Sequence, residues 1–218
     1  IYLYYAEYAQ DDEYMPGYLD KMNSYRDSVL MIVPEGSYQY VIVQGPMLIY
    51  HQQPKEAENL LKTYISGVSS DTREYAILTS ILAFTYQNDS QLELQKMCLA
   101  ESAIADIKAV VKENNSLRAL AELLYEEGAI ERANKYMKKS MADASFYNAR
   151  LRNVQASKML PVIDSSYQLE KEMQRRKLQV FLGVISILSL FLILTIGYVI
   201  RQLKKLAKTR REVICANN

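Results

Sequence analysis

Between Val180 and Ile200 the chain runs for 21 residues without a charge (VFLGVISILSLFLILTIGYVI), and nothing else in the sequence restricts the fold as much. A helix rises about 1.5 Å per residue, so this one is roughly 31 Å long, matched to a hydrocarbon core of about 30 Å. The bland alternative, a buried hairpin helix of a soluble domain, seldom runs so far uncharged. Arg175, Arg176 and Lys177 precede the run, and Arg201, Lys204, Lys205, Lys208, Arg210 and Arg211 follow it. The sequence therefore divides into a domain over residues 1–160, a juxtamembrane helix over 161–177, a membrane span over 178–200 and a basic tail over 201–218.

The net charge of +1 hides a split, because six basic residues and one acidic residue lie beyond the span and 20 basic against 24 acidic lie before it. Lys and Arg close to a span favour the cytoplasmic side. The tail is thus expected in the cytoplasm and the larger part outside it, although Arg175–Lys177 pull the other way. An exported domain needs a leader, and none precedes the helical pattern at Ile1, so the chain reads as a fragment or mature form. The basic tail suits anionic headgroups of a lipid bilayer better than nucleic acid.

Only 7 Gly and 5 Pro punctuate the chain, and no Asn-Gly hairpin pattern separates alternating strands, so an all-α fold is expected. The two cysteines, Cys98 and Cys215, fall on opposite sides of the expected membrane, which leaves no disulfide framework or zinc site. Cys98 reads as a buried thiol.

In Leu120–Met141 (LAELLYEEGAIERANKYMKKSM) a turn centred on Gly128 separates two helical patterns. Their small residues Ala121 and Ala133 sit twelve apart, where paired antiparallel helices approach closely. Leu117, Leu120, Leu124, Tyr136 and Met137 form the apolar stripe. The pattern recurs at a shift of 38 residues: Ala121 aligns with Ala83 and Gly45, Leu124 with Tyr86 and Leu48, Met137 with Leu99 and Leu61. Ala133 aligns with Ala57 two periods back but only with Gln95 one period back.

This pattern resembles the tetratricopeptide (TPR) repeat, a helix pair with a small residue in each helix and a Gly-containing turn. The best units are about 38–70, 76–108 and 114–147, which implies an antiparallel helix-pair solenoid. Pro54 sits at the first position of a helix, Pro46 is expected to kink the helix before it, and Asp71 with Glu74 resembles a capping box. An earlier unit is expected over Tyr2–Met31 with its turn near Met15-Pro16-Gly17. After the repeats, Ser145–Lys158 reads as a further helix and Pro161 as a break. No Gly or Pro separates Asp164–Lys177 from the span, so one helix is expected from about Asp164 to about Arg211.

The junction Arg150–Val213, with Ser116–Val154 before it, is similar to a family of single-pass regulators of Bacteroidota-type bacteria. Members of that family look like an exported TPR domain, one span and a cytoplasmic effector that ends in a helix-turn-helix-like region. The resemblance implies a sensor in the bacterial inner (cytoplasmic) membrane, with its N-terminal domain periplasmic and its tail cytoplasmic. A protein or peptide ligand would bias a cytoplasmic, transcriptional output whose effector lies outside these residues. The alternative is a tethered TPR scaffold for envelope proteins that signals nothing.

Catalytic chemistry is not legible. His51, the one histidine, lies in a predicted turn with no nucleophile, base or metal set around it. There is no P-loop, Gly-rich nucleotide fingerprint or HExxH pattern, and Glu126-Glu127 and Asp11-Asp12 read as solvated turn residues. No enzyme, cofactor or metal is expected. Ten of the 18 tyrosines fall between Tyr2 and Tyr50; they suit recognition, but packing explains most of them. By analogy with TPR grooves, the first helix of each pair nominates Gln39, Tyr50, Ser80, Gln87, Arg118, Glu122 and Tyr125 for partner binding. Gly183, Ser186 and Ser189 recur at three-residue spacing in the span and would permit a homodimer.

Overall fold

A computed structural model describes residues 15–88, 91–111 and 115–216. Its helices are α1 (Met15–Ile32), α2 (Tyr38–Tyr50), α3 (Pro54–Ile65), α4 (Arg73–Asn88), α5 (Leu92–Lys108), α6 (Asn115–Glu126), α7 (Ile130–Phe146) and α8 (Arg150–Ala216). There is no strand among the described residues. The chain separates into two compact units, Ile1–Tyr167 and Gln168–Asn218.

In the first unit the consecutive helices α2 through α7 pack pairwise, and α2 also reaches α4. The small-residue ladder explains why. Gly45, Ala83 and Ala121, one period apart, are all buried, and Ala57 and Ala133 in the second helices are fully enclosed. With no side chain beyond Cβ at these sites, paired helices approach until the following large residues interlock. Those residues, Leu61, Tyr86, Leu99, Leu124 and Met137, all belong to one core cluster. At Gly45 an added Cβ would already stand 3.4 Å from Leu61 Cδ2 and 3.5 Å from Ile81 Cγ2. In the middle repeat the alanine's place falls on half-buried Gln95, and α5 is tied to α4 by Ser102, whose hydroxyl donates to the Ala76 carbonyl, with Cys98, Leu99 and Ala103 of α5 buried.

The helix ends show how the chain turns. Ser37 Oγ accepts the Tyr40 N–H at 3.2 Å to open α2. Thr72 Oγ1 accepts the Tyr75 N–H at 3.2 Å to open α4, so the cap is Thr72 and not the expected Asp71. Asp71 instead accepts from the Ser69 hydroxyl at 2.6 Å, and Glu74 from the Tyr64 hydroxyl at 2.9 Å. Pro54 opens α3 at the expected position, and Pro46 lies inside α2. Gln52, Val110, Gly128 and Asn148 are left-handed, with φ of 59°, 57°, 79° and 53°. In each case the next residue's N–H reaches five back, as from Ala129 to the Leu124 carbonyl at 2.8 Å, which closes the helix end.

Val110 is the costly member of that set. A β-branched side chain in the left-handed region is strained by about 1–2 kcal/mol, and Val110 is 75% exposed, so packing returns little. Val110→Gly is expected to stabilise the domain by about 1 kcal/mol after the extra freedom of glycine in the unfolded chain is counted. A denaturant midpoint that falls would refute this.

Two boundaries differ from the sequence expectation. The helix expected over Ser145–Lys158 is broken: α7 ends at Phe146 and α8 starts at Arg150. Asn148 adopts the left-handed cap there, as asparagine tolerates more readily than most residues. Nor does Pro161 break the chain; it lies inside α8. It is exposed beside exposed Ser157, so the carbonyl it leaves without a helical donor is open to water, while Leu151, Ala156 and Ile163 are buried on either side. Arg150–Tyr167 thus packs as a further repeat helix, with Tyr125 to Ser166 at 3.0 Å and both Asn134 (2.9 Å) and Lys138 (2.6 Å) donating to Asp164. At the other end, α1 packs on α2 and buries none of its residues. Met15-Pro16-Gly17 opens α1 and is not a turn; the helix expected before it lies outside the described residues.

The second unit is helical through residue 216. Its apolar stretch has a mean hydropathy of 2.7, and none of it is buried. By length and composition it can cross a membrane. Ser186 and Thr195 return their hydroxyls to the Leu182 and Leu192 carbonyls, both at 2.8 Å, so these side chains do not present unpaired donors along the run.

Candidate functional site

The leading helices α2, α4 and α6 and the start of α8 occupy equivalent places in the repeat, and between α4, α6 and α8 they leave a cavity of about 310 Å³. Arg73, the first residue of α4, sits at its rim with Ala76, Ile77, Ser80 and Ile81 along the same helix. Ser102 and Asp106 enter from α5, Asn115 and Ser116 from the first turn of α6, and Arg152 from the first turn of α8.

Local chemistry fixes what this wall offers. The Ser102 hydroxyl donates to the Ala76 carbonyl at 2.7 Å and meets Ser116 Oγ at 2.7 Å, so the two buried serines tie α4, α5 and α6 together. Asn115 Oδ1 accepts from Arg118 Nη2 at 3.1 Å, which leaves its Nδ2 as the group it can present. Arg152 Nη1 donates to Gln155 at 2.9 Å. The side chains that line the cavity carry two guanidinium groups and one carboxylate.

The nominated groove residues are dispersed. Ser80 lines this cavity. Gln39 and Gln87 are exposed on α2 and α4. Tyr50 packs edge-on against His51, with ring centroids 5.5 Å apart, and faces a separate space of about 290 Å³ with Met15, Leu19 and Asn23. Arg118 and Glu122 pair with each other on α6. Arg118 Nε is buried with no hydrogen-bond partner among the described residues. Tyr125 holds Ser166. Sequence reasoning missed Arg73, Asp106, Asn115 and Arg152. For Arg73, Asn115 and Arg152 the available signal was their position in first turns of successive leading helices, hidden at Arg152 because Ser145–Lys158 was read as one helix; Asp106, in the last turn of α5, carried no such mark.

Three of the described tyrosines tie helices together. Tyr64, Tyr75 and Tyr86 each donate to a carboxylate on another helix (Glu74, Glu101 and Glu58), all at 2.9 Å. Burial, then the Glu101 hydrogen bond, pushes the Tyr75 phenol up to about 12. Burial likewise pushes the Cys98 thiol up to about 11, so it carries no thiolate for nucleophilic work near neutrality. An unfolded thiol titrates at about 8.5. The stability contributed by keeping Cys98 protonated is therefore complete below about pH 8.5 and is lost as pH rises toward 11. Cys98→Ala is expected to flatten the decline in stability between those limits; an unchanged slope in denaturation at stepped pH would count against it. Among the described residues, no group of three His, Cys, Asp or Glu side chains is placed to hold a metal.

A family model described as the SusR N-terminal TPR domain matches residues 1–158. The chain belongs to this family. The SusR-type TPR domain is a helical protein-interaction fold with no catalytic role of its own, in keeping with a groove whose polar groups are distributed over three repeats. Comparison with curated proteins gives no match, and neither does comparison with solved structures.

Proposed function

We propose that this chain is a membrane-anchored regulatory subunit. Its SusR-type TPR domain binds a protein or peptide partner outside the cytoplasmic membrane and biases a cytoplasmic, transcriptional output. The observation that carries the reading is α8: its first turns complete the groove through Arg152, and its later residues form the uncharged run flanked by Arg175–Lys177 and by Arg201, Lys204 and Lys205. A partner can bias an output only if it binds one arrangement of these helices better than another. The tethered scaffold shares the anchor and the groove but needs no such bias.

Topology is tested by fusing alkaline phosphatase, active only after export, behind Lys177 or behind Lys208. Activity at the first junction and none at the second is expected. The reverse pattern would place the groove in the cytoplasm and sink the external-sensor reading.

A further inference from the structure

We infer that the outer face of α5 is the docking surface for a second copy of this chain, the two α5 helices lying antiparallel about a twofold axis beside Ala100. The contact stands apart from the groove and from the peptide-binding reading above.

The repeat itself isolates this face. A helix at the surface of a domain turns its apolar side inward and its polar side to water. α5 buries Cys98, Leu99, Ser102, Ala103 and Ala105 on its inner side, yet its outer side is apolar as well. Met97, Ile104 and Ile107 are 50%, 52% and 54% exposed there, with half-buried Ala100 between them. Spacings of three and four set these residues on one stripe. One period earlier the places of Met97, Ala100 and Ile104 hold exposed Asn59, Lys62 and Ser66, and one period later exposed Lys135, Lys138 and Ala142. The flanking repeats follow the surface rule, and the middle one departs from it.

Charge names the occupant. Glu93 and Lys108 end the stripe and both are exposed; the Glu93 side chain stays open to solvent although it meets Lys96 Nζ at 2.9 Å. An antiparallel copy, turned about a point between Ala100 and Glu101, sets Met97 against Ile104 of the second copy and Glu93 against its Lys108, at both ends alike. Ala100, the smallest side chain of the stripe, falls at the crossing, where helix axes approach to about 8–10 Å. Glu101 beside it accepts from the Tyr75 hydroxyl of α4 at 2.9 Å, which holds its carboxylate toward its own domain. A twofold contact requires this self-complementary order, and an unrelated partner does not. One helix pair is a small interface of the weak, transient kind, so the charge pairs set direction and register more than strength.

The test uses the whole chain in detergent micelles, with Cys215→Ser as background. Under mild oxidation Ala100→Cys is expected to form a disulfide-linked dimer several-fold faster than Lys62→Cys or Lys138→Cys, its counterparts in the flanking repeats. In sedimentation velocity Glu93→Lys and Lys108→Glu should each weaken self-association about tenfold, because each places like charges at both ends of the stripe. The double variant should return close to the parent, a rescue that neither a damaged fold nor a foreign partner would give. Ile104→Lys should sediment as a monomer. Dimers that persist in Ile104→Lys, or equal crosslinking at all three cysteine sites, would place self-association elsewhere, the span included, and overturn the inference. A monomer at every concentration up to about 100 µM would overturn it too and leave the face to a partner of another kind.

Discussion

Leu124→Ala is expected to destabilise the helical domain by roughly 2–5 kcal/mol, the usual cost of emptying a buried leucine site. Against a total stability of about 5–15 kcal/mol for a domain, that is a large fraction. Leu124 is 2% exposed on α6, and its repeat equivalent one period earlier, Tyr86, is equally enclosed. Both belong to the cluster with Met137 and Ala133 of α7 and Ile163 of α8. The melting temperature should fall by roughly 5–15 °C, given about 2–4 °C per kcal/mol for a domain of this size. The loss should also be local. Repeat arrays are held together by neighbour contacts, so stability is approximately a sum over adjacent units. Hydrogen exchange is expected to accelerate most in α6, α7 and Arg150–Tyr167 and least in α2. Acceleration equal in α2 and α7, or a cost below about 1 kcal/mol, would show that the repeats do not carry the core in this way.

What the sequence disclosed followed the reach of each interaction. The repeat was legible because Gly45, Ala83 and Ala121 obey one local rule, small side chain at the helix crossing, which leaves a mark at fixed spacing. Gly128 and Pro54 were legible for the same reason: each acts on its own backbone. Asp71 with Glu74 was expected to form the cap, but Asp71 accepts from Ser69 and Glu74 from Tyr64 on another helix, and Thr72 caps α4. Asn148 hid the start of α8, since asparagine permits a left-handed cap without demanding one. Pro161 was given its usual helix-breaking weight, but burial of Ala156 and Ile163 on either side outweighs one missing hydrogen bond. Of the cavity only Ser80 was nominated, because Arg73, Asp106, Asn115 and Arg152 come from four helices and meet only through tertiary packing.

Two arginines in the middle of the uncharged run, Leu190→Arg with Ile193→Arg, are expected to move the protein from the membrane to the aqueous fraction on alkaline extraction. Fifteen of the 21 residues from Val180 to Ile200 are Leu, Ile, Phe or Val. At roughly −0.3 to −0.6 kcal/mol each they favour insertion by about −4 to −9 kcal/mol, less what Gly, Ser, Thr and Tyr subtract. Two arginines near the midpoint cost about 5–7 kcal/mol on the same scale and also forfeit the Leu190 and Ile193 contributions, which outweighs the gain left after the polar residues are counted. Leu190 and Ile193 are 60% and 66% exposed, so the change removes no packing within the chain, and Leu190→Ala with Ile193→Ala should remain inserted. The contrast separates lipid from protein as the solvent of this helix. If both double variants stayed with the membrane, the run would be held by contacts that tolerate charge, and the anchor on which the sensor reading depends would have to lie elsewhere.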